Sequence, residues 1–202
     1  MSQVGAVNPR YATLNTDYAA EMFSMSDEED GPIWMVNLMK YREIADYGDG
    51  RESNISGQEA DDLYAPMAVL ADIGAEIVFA GNVETQLLGD SPKWDRIAVV
   101  KYPTRRSFLK MSSRKDFQEK HVHKEAGMQT TIVMGCTPMD TPVYSKKDWT
   151  EIANSPSESD GVITVVHVLQ LNEQIEKMNN YSLIAGERVI PNGVRVGGWF
   201  QV

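Results

Sequence analysis

The sequence predicts an α+β fold organised on a single antiparallel sheet. Apolar segments of strand length alternate along the chain with segments whose apolar residues recur at helical spacing. The second and third predicted strands are joined by a short turn that contains glycine and proline, which is typical of an antiparallel hairpin. Together these observations give the order β-α-β-β-α-β, which is the ferredoxin-like or split βαβ arrangement.

The first predicted strand is Ile33–Tyr41 (IWMVNLMKY), which follows a turn at Gly31 and Pro32. It is apolar on both faces, so we expect it to lie centrally in the sheet. Residues 1–30 are predicted to form an N-terminal extension that includes a helix within 11–25, where apolar residues share one face.

The first crossover helix is predicted at 58–74. Its apolar residues form one stripe, and Gly74 supplies the residue that ends it. Pro66 lies inside this pattern and is expected to kink the helix, because proline removes one backbone donor.

The hairpin that follows has strands predicted at 76–88 and 94–102, separated by a turn at 89–92. We expect a bend at Gly81 in the first of these strands. The second strand is rich in β-branched and aromatic residues, which suits a strand covered on at least one face.

The second crossover helix begins after Thr104, a plausible N-cap. It is predicted to break near Ser112–Ser113, to resume over 116–126 and to stop at Gly127. The fourth strand follows at 129–134 and completes a domain spanning 31–138.

A diverged repeat of the first strand occurs beyond a predicted linker at 139–160. GPIWMVNLMK at Gly31 matches GVITVVHVLQ at Gly161, which aligns Asn37 with His167. Residues 161–202 therefore predict a partial second β-α-β repeat. Either its last strands complete a neighbouring sheet, or the chain is a shortened version of a longer protein with two repeats.

Composition places the chain among ordinary soluble globular proteins. It has 202 residues, of which 42% are hydrophobic and 24% charged. A net charge of −10 argues against nucleic-acid binding, since an acidic surface repels phosphates. No apolar run approaches the roughly 20 residues of a membrane span. The single Cys136 forms neither an internal disulfide nor a thiolate metal site, and a cytoplasmic location is the default expectation.

Cofactor and metal motifs are missing from the sequence. It contains no G-x-G-x-x-G after a strand, no P-loop, no G-x-S-x-G and no H-E-x-x-H, so no cofactor is predicted. Haem ligation by a single histidine is open in principle, but no residue is singled out for it. His121 and His123 are predicted on a helix, where they point apart and cannot share a metal. His123, near the helix end, is a candidate acid or base.

Asn37 and His167 are the other catalytic candidates. Each is the polar residue in the middle of an apolar strand, at equivalent repeat positions. If their two sheets face one another, the amide orients a carbonyl or enolate and the imidazole moves a proton. The alternative is that neighbouring backbone satisfies each buried group.

Five residues are candidate ligand contacts. An indole at a cavity mouth offers a stacking surface, although packing is the alternative for Trp94. Arg105 flanks a strand-to-helix turn with Tyr102 and either attracts a carboxylate or is solvated. Asp95 either contributes to binding or pairs with a nearby basic residue or helix end. The set is Trp94, Asp95, Tyr102, Arg105 and Tyr64, the last being the tyrosine of the first crossover helix.

The segments GPIWMVNLMKYRE, IGAEIVFAGNVETQLLGD, WDRIAVVKYPTRRSFLKM and HVHKEAGM resemble the domain-of-unknown-function family 1330, a branch of the dimeric α+β barrel superfamily. The resemblance covers about 31–138. It implies a sheet that pairs with a second sheet to close a barrel, and in relatives the partner is usually another subunit. A homodimer is therefore expected, although the half-repeat after Gly161 could supply part of the second sheet.

The resemblance leaves two classes of function open, because the superfamily hosts several chemistries and the family carries no established catalytic motif. The first is a small-molecule-binding barrel that acts as a cofactor-independent monooxygenase- or isomerase-like enzyme on a small hydrophobic or carbonyl compound. The second is a non-catalytic barrel that dimerises or sequesters a ligand.

Overall fold

The computed structural model describes residues 9–140, 157, 159, 161, 163–170, 184, 187–188 and 197–202. The chain divides into two compact units. The first comprises Met1–Pro138 and Phe200–Val202, and the second comprises Met139–Trp199. The helices and strands whose bounds are given below belong to the first unit.

The first unit consists of strands that form one sheet and helices that pack on it. The strands are β1 Ile33–Tyr41, β2 Glu76–Asn82, β3 Arg96–Tyr102, β4 Met128–Pro138 and β5 Phe200–Gln201. The helices are α1 Thr16–Ser24, α2 Gly57–Tyr64, α3 Met67–Asp72, α4 Arg105–Ser112 and α5 Lys115–Gly127.

The sheet has the strand order β2-β3-β1-β4-β5, and each neighbouring pair is antiparallel. The first four strands with their helices follow the ferredoxin-like β-α-β-β-α-β order, which confirms the predicted fold class. The sheet is curled into a half-barrel. As predicted, β1 is central, with Asn37 opposite Ala98 of β3 and Val133 of β4.

Both faces of the sheet carry buried apolar residues. Alternate residues of β1 face opposite sides, so Ile33 and Met35 pack under the helices while Val36 and Leu38 lie on the other face. The helix-covered core gathers Met22, Ile33, Met35, Val69, Leu70, Tyr102, Met111 and Phe117. Burying each large apolar side chain of this kind stabilises the fold by about 1.5–3 kcal/mol. The other face gathers Val36, Leu38, Val99 and Cys136, with Trp34, Phe79, Trp94, Ile97 and Met134 against them.

The predicted helix 58–74 is two helices. Between α2 and α3 lie Ala65, with φ 5° and ψ 75°, and Pro66. The proline lacks an N–H and its ring clashes with the preceding turn, so the expected kink is a complete break. By contrast α4 and α5 separate where the sequence predicts, and Thr104 accepts from the backbone N of Ser107 as an N-cap.

Strand bounds differ from the predictions where pairing, not apolar character, sets them. The strand predicted to run to residue 88 ends at Asn82, and its register shifts between Ile77 and Phe79 rather than at Gly81. β3 begins at Arg96, so Trp94 and Asp95 precede it. β4 extends to Pro138 because its last residues pair with β5.

The predicted second repeat is described only in part. Residues 163–170 have no regular secondary structure, while the chain end forms β5 and so adds to the sheet of the first unit. Residues 1–8, 141–156 of the predicted linker and 171–183 of the predicted second repeat lie outside the described residues. Across the described part of the chain, no helix combines the length and apolar character that crossing a bilayer requires.

Candidate functional site

The site lies where the start of α2 and the end of α5 meet the chain just beyond β1. Two glycines allow the helices to approach, since a Cβ on Gly57 would overlap the carbonyl oxygen of Gly127. Arg42, just after β1, donates its backbone N–H to Gly127 O at 2.8 Å and accepts from Gly57 N at 3.1 Å. This close packing holds polar side chains of both helices against the sheet.

Asp61 of α2 is a buried carboxylate with two strand partners. It is 8% exposed, and its Oδ2 accepts from the Tyr41 hydroxyl at 2.7 Å and from Arg96 Nη1 at 3.3 Å. Arg96 also reaches Asp62 at 2.8 Å. Burial and the Asp61 charge raise the pKa of Tyr41 far above its usual value, so its phenol stays a proton donor at neutral pH.

Lys124 of α5 is a half-buried amine in an apolar setting. Its Nζ lies 3.8 Å from Met39 Sδ and 5.2 Å from the centroid of the Tyr64 ring. Within the described residues it forms no ion pair. Desolvation lowers the pKa of Lys124, and the Arg96 charge adds to this while Asp61 opposes it. A larger fraction of this amine is therefore neutral than in an exposed lysine.

His121 lies one turn before Lys124 on the same helix. Its Nε2 is 2.8 Å from the Tyr11 hydroxyl, and its ring stacks on Phe117 with centroids 5.2 Å apart. Desolvation, followed by the Lys124 charge, lowers the pKa of His121, so the imidazole is neutral at pH 7. The carboxylate, phenol, imidazole and amine groups of this titratable cluster are Asp61, Tyr11, Tyr41, Tyr64, His121 and Lys124, with Arg96 at its edge.

An open cleft adjoins the titratable cluster at the end of the sheet. Its volume is about 600 Å³. Tyr41 belongs to both, and Asn82 in the cleft accepts from Arg96 Nε at 3.1 Å. The lining residues are Lys40, Tyr41, Arg42, Glu43, Ser56, Gln58, Asn82, Val83, Asp95 and Gln129.

Two of the predicted catalytic residues, Asn37 and His123, bond to groups outside the titratable cluster. Asn37 is half-buried, and its Nδ2 donates to Met35 O at 3.0 Å, which is the backbone alternative stated for it. His167 is exposed and belongs to the second unit. His123 on α5 bonds the Tyr47 hydroxyl through Nδ1 at 2.8 Å. No group of three or more candidate metal ligands occurs in the described part of the chain.

Two predicted ligand contacts lie in the loop before β3. Asp95 lines the cleft, where its carboxylate accepts from Lys40 Nζ at 3.0 Å and from Tyr41 N at 2.7 Å. The basic partner of Asp95 is thus Lys40 of β1. Trp94 is half-buried and packs with the apolar residues of the face opposite the helices.

Tyr102 and Arg105 serve the core and a helix end. Tyr102 is 4% exposed, and its hydroxyl points at Met111 Sδ, 3.7 Å away. Arg105 begins α4, and its backbone N–H donates to Asp30 Oδ1 at 2.7 Å. Asp30, an acid of the chain itself, thus lies at the helix N-terminus where a carboxylate ligand is predicted. Tyr64 is the predicted contact that lies within the titratable cluster.

Sequence reasoning missed Asp61, Tyr41 and Lys124. A signal for Lys124 exists in α5, where Phe117, His121 and Lys124 follow one another at i, i+4 and i+7. That spacing puts all three on one stripe, and the stripe faces the sheet because it starts at a buried phenylalanine. Ionisable residues on a buried helix stripe are rare enough to indicate a site.

Solved structures of unknown function are similar to this chain in fold. No protein-family model matches the chain, and no curated protein is significantly similar to it. The structure of the RPA0582 protein of Rhodopseudomonas palustris, described as a protein of unknown function, matches with a TM-score of 0.57 and 23% identity over 66% of this chain and 100% of that one. The methylated RPA0582 protein matches with a TM-score of 0.57 and 26% identity over 64% and 94% of the two chains.

Proposed function

We propose that this protein is a small-molecule-binding α+β barrel that acts, without a cofactor, on a small hydrophobic or carbonyl compound. The single observation that carries the proposal is the titratable cluster. Lys124 and His121 lie one helical turn apart as bases with lowered pKa, beside the phenols of Tyr11 and Tyr64. The resemblance to the domain-of-unknown-function family 1330 is part of the same proposal, and the α+β half-barrel supports it.

The chemistry proposed is removal of a proton next to a carbonyl group. A neutral Lys124 amine or His121 imidazole takes the proton, and the electron pair of the broken C–H bond moves into the enolate. Returning the proton at another carbon completes an isomerisation. In an oxygenation, the same carbanion reacts with molecular oxygen instead. Both outcomes that the sequence resemblance implies share this first step.

The assembly proposed is a homodimer in the cytoplasm. The sheet face opposite the helices is apolar, and Ile132, which lies across from Leu38 on that face, is 45% exposed. Such a face suits a second sheet. Cys136 is a free, buried thiol, as expected in a reducing compartment.

The test is exchange of carbonyl α-protons for deuterium, followed by NMR in D₂O with a panel of small aldehydes and ketones. We expect the wild-type protein to accelerate exchange for at least one compound, and Lys124→Met to slow it. Lys120→Met is the matched control, because Lys120 is exposed on the same helix. Equal exchange with Lys124→Met and wild type would overturn the role of the cluster.

A second candidate, ligand sequestration without turnover, is favoured by one observation. The Asn37 amide bonds to Met35 O, as a residue with a purely structural role would. Native mass spectrometry of gently purified protein tests it, together with the homodimer. A dimer carrying a discrete adduct, with no exchange activity towards that compound, would support sequestration.

A further inference from the structure

We infer that the cleft at the end of the sheet binds the oxyanion of a small ligand, a carboxylate or a phosphate, and that Arg42 holds it. The inference rests on the proposed function and deepens it. It assigns the substrate of the adjoining titratable cluster to the class of small carbonyl compounds that also carry an anionic group.

Arg42 is fixed by its backbone on both sides. Its N–H donates to Gly127 O at 2.8 Å and its C=O accepts from Gly57 N at 3.1 Å. Neither glycine has room for a Cβ, so the position where α2 and α5 meet Arg42 is closely packed. The Cα of Arg42 is therefore held in place in the lining of the cleft, and binding a ligand costs only the freedom of the side chain itself.

The guanidinium of Arg42 is without a hydrogen-bond or ion-pair partner in the described part of the chain. Its Nε is buried, and a buried donor left unbonded is costly by about 1–3 kcal/mol. The arginines Arg10, Arg51, Arg96, Arg106 and Arg114 each pair with a carboxylate.

Asp46 is the acid whose pKa is lowered in part by the charge of Arg42, and its carboxylate already bonds to other groups. Asp46 has its pKa lowered chiefly by the bond from Gly48 N, and only lastly by the charge of Arg42. Its carboxylate accepts from Gly48 N at 2.8 Å and from Arg10 Nη1 at 3.0 Å. Arg42 is therefore left with a positive charge that no carboxylate of the described chain binds directly.

The rest of the cleft suits a small polar anion. The amides of Gln58 and Gln129 line it and form no hydrogen bond within the described residues, so they are available as donors. Lys40 and Asp95 neutralise one another at 3.0 Å. Glu43 is an exposed acid in the lining and weakens anion binding. A guanidinium binds carboxylate and phosphate alike through two parallel hydrogen bonds.

The experiment is calorimetric titration of the full chain with succinate, inorganic phosphate and uncharged succinamide. We expect at least one anion to bind and succinamide not to. Arg42→Gln should weaken anion binding by about tenfold or more, as loss of a hydrogen-bonded charge requires. Arg51→Gln is the matched control, because Arg51 is an exposed arginine of the same loop already paired with Asp49 at 2.7 Å. The anion that binds more tightly identifies the carboxylate or the phosphate class.

A second variant protects the test against misfolding of Arg42→Gln. Glu43→Gln removes the opposing charge and should tighten binding of the same anion by a few-fold. Equal binding of succinamide and succinate, unchanged affinity in Arg42→Gln, or no tightening in Glu43→Gln would each overturn the inference.

Failure of the proposed function gives a different result. Lys124→Met should keep anion binding while it slows deuterium exchange. Anion binding by a wild-type protein without exchange activity would leave the Arg42 site standing and remove only the enzymatic proposal. The protein could instead exchange the α-protons of a substrate without an anionic group, equally fast in wild type and in Arg42→Gln. That result would overturn the Arg42 site and leave the titratable cluster standing.

Discussion

Gly57 and Gly127 face one another where α2 crosses α5, and a Cβ on either would overlap the carbonyl oxygen of the other. The same contact includes the backbone of Arg42, which bonds to both glycines. The two helices therefore approach this closely only because both residues are glycines without a Cβ. The positions of Asp61 and Lys124 depend on that approach.

Replacing Gly127 with alanine should destabilise the fold. Alanine favours a helix over glycine by about 1 kcal/mol, but the clash here is with backbone, which cannot rotate away. We expect the free energy of unfolding, measured by urea denaturation, to fall by about 3 kcal/mol or more. Gly31→Ala is the control, because nothing lies within 4 Å of a Cβ there, and it should be close to neutral. Equal effects of the two variants would contradict the close contact.

Asp30→Ala is expected to weaken the start of α4. The Asp30 carboxylate accepts from Arg105 N at 2.7 Å and from Arg106 N at 3.4 Å, which satisfies two donors of the helix end. Loss of such a cap costs about 1–2 kcal/mol, and Asp30→Asn should retain part of it. Asp27→Asn, which alters an exposed acid paired with the same Arg106, should have little effect in the same denaturation assay.

The pKa of His121 makes stability depend on pH. Burial lowers it below the value of 6.5 expected in the unfolded chain, so the unfolded state binds more protons as the pH falls. The contribution is complete above about pH 6.5 and is lost as the pH falls through the folded-state pKa. We expect wild-type stability to fall between pH 7.5 and pH 5.5, and His121→Gln to flatten that dependence.

A control separates the imidazole from its surroundings. Phe117→Leu changes the stacked ring but keeps His121, so it should lower stability and leave the pH dependence in place. The carboxylates whose pKa is lowered, such as Asp46 and Asp116, act only in more acidic solution. The same slope in His121→Gln as in wild type would show that another group is responsible.

Lys124→Met should raise stability while it slows exchange. The pKa of Lys124 is lowered by desolvation, so its contribution to stability is present only above the unfolded value near 10.5 and is lost as the pH falls. At neutral pH the charged amine beside Met39 and Tyr64 therefore opposes folding. Methionine fills similar space without a charge, and we expect a gain of about 1 kcal/mol at pH 7 in urea denaturation that shrinks at pH 10. A clear loss of stability would mean that the ammonium has an interaction that its apolar neighbours do not explain.

Local chemistry made much of the fold predictable. Thr104 as a cap, the break after Ser112 and the strand Ile33–Tyr41 each follow from neighbouring residues alone. The sequence predicts only part of the break within 58–74. Pro66 indicates that the helix is disturbed there, but not that it divides into two helices.

The candidate site was less predictable, because contacts between distant elements create it. Asp61 and Tyr41 are close only because α2 packs at one depth on β1, and nothing near either residue in sequence specifies that depth. Asn37 and Arg105 stand out in the sequence, yet Asn37 bonds within its own strand and Arg105 bonds to Asp30 of the same chain. A polar residue in an apolar pattern shows that a partner is needed, and not whether the partner is a ligand.

The pairing of β5 with β4 makes the second unit an insertion in a hairpin. Met139 N donates to Trp199 O at 2.8 Å, and Thr137 lies opposite Gln201, so residues 139–199 leave and return at one point. The entropy of closing such a loop grows only with the logarithm of its length. A chain in which a two-residue turn replaces this insertion should therefore retain the curled sheet and the helices of the first unit.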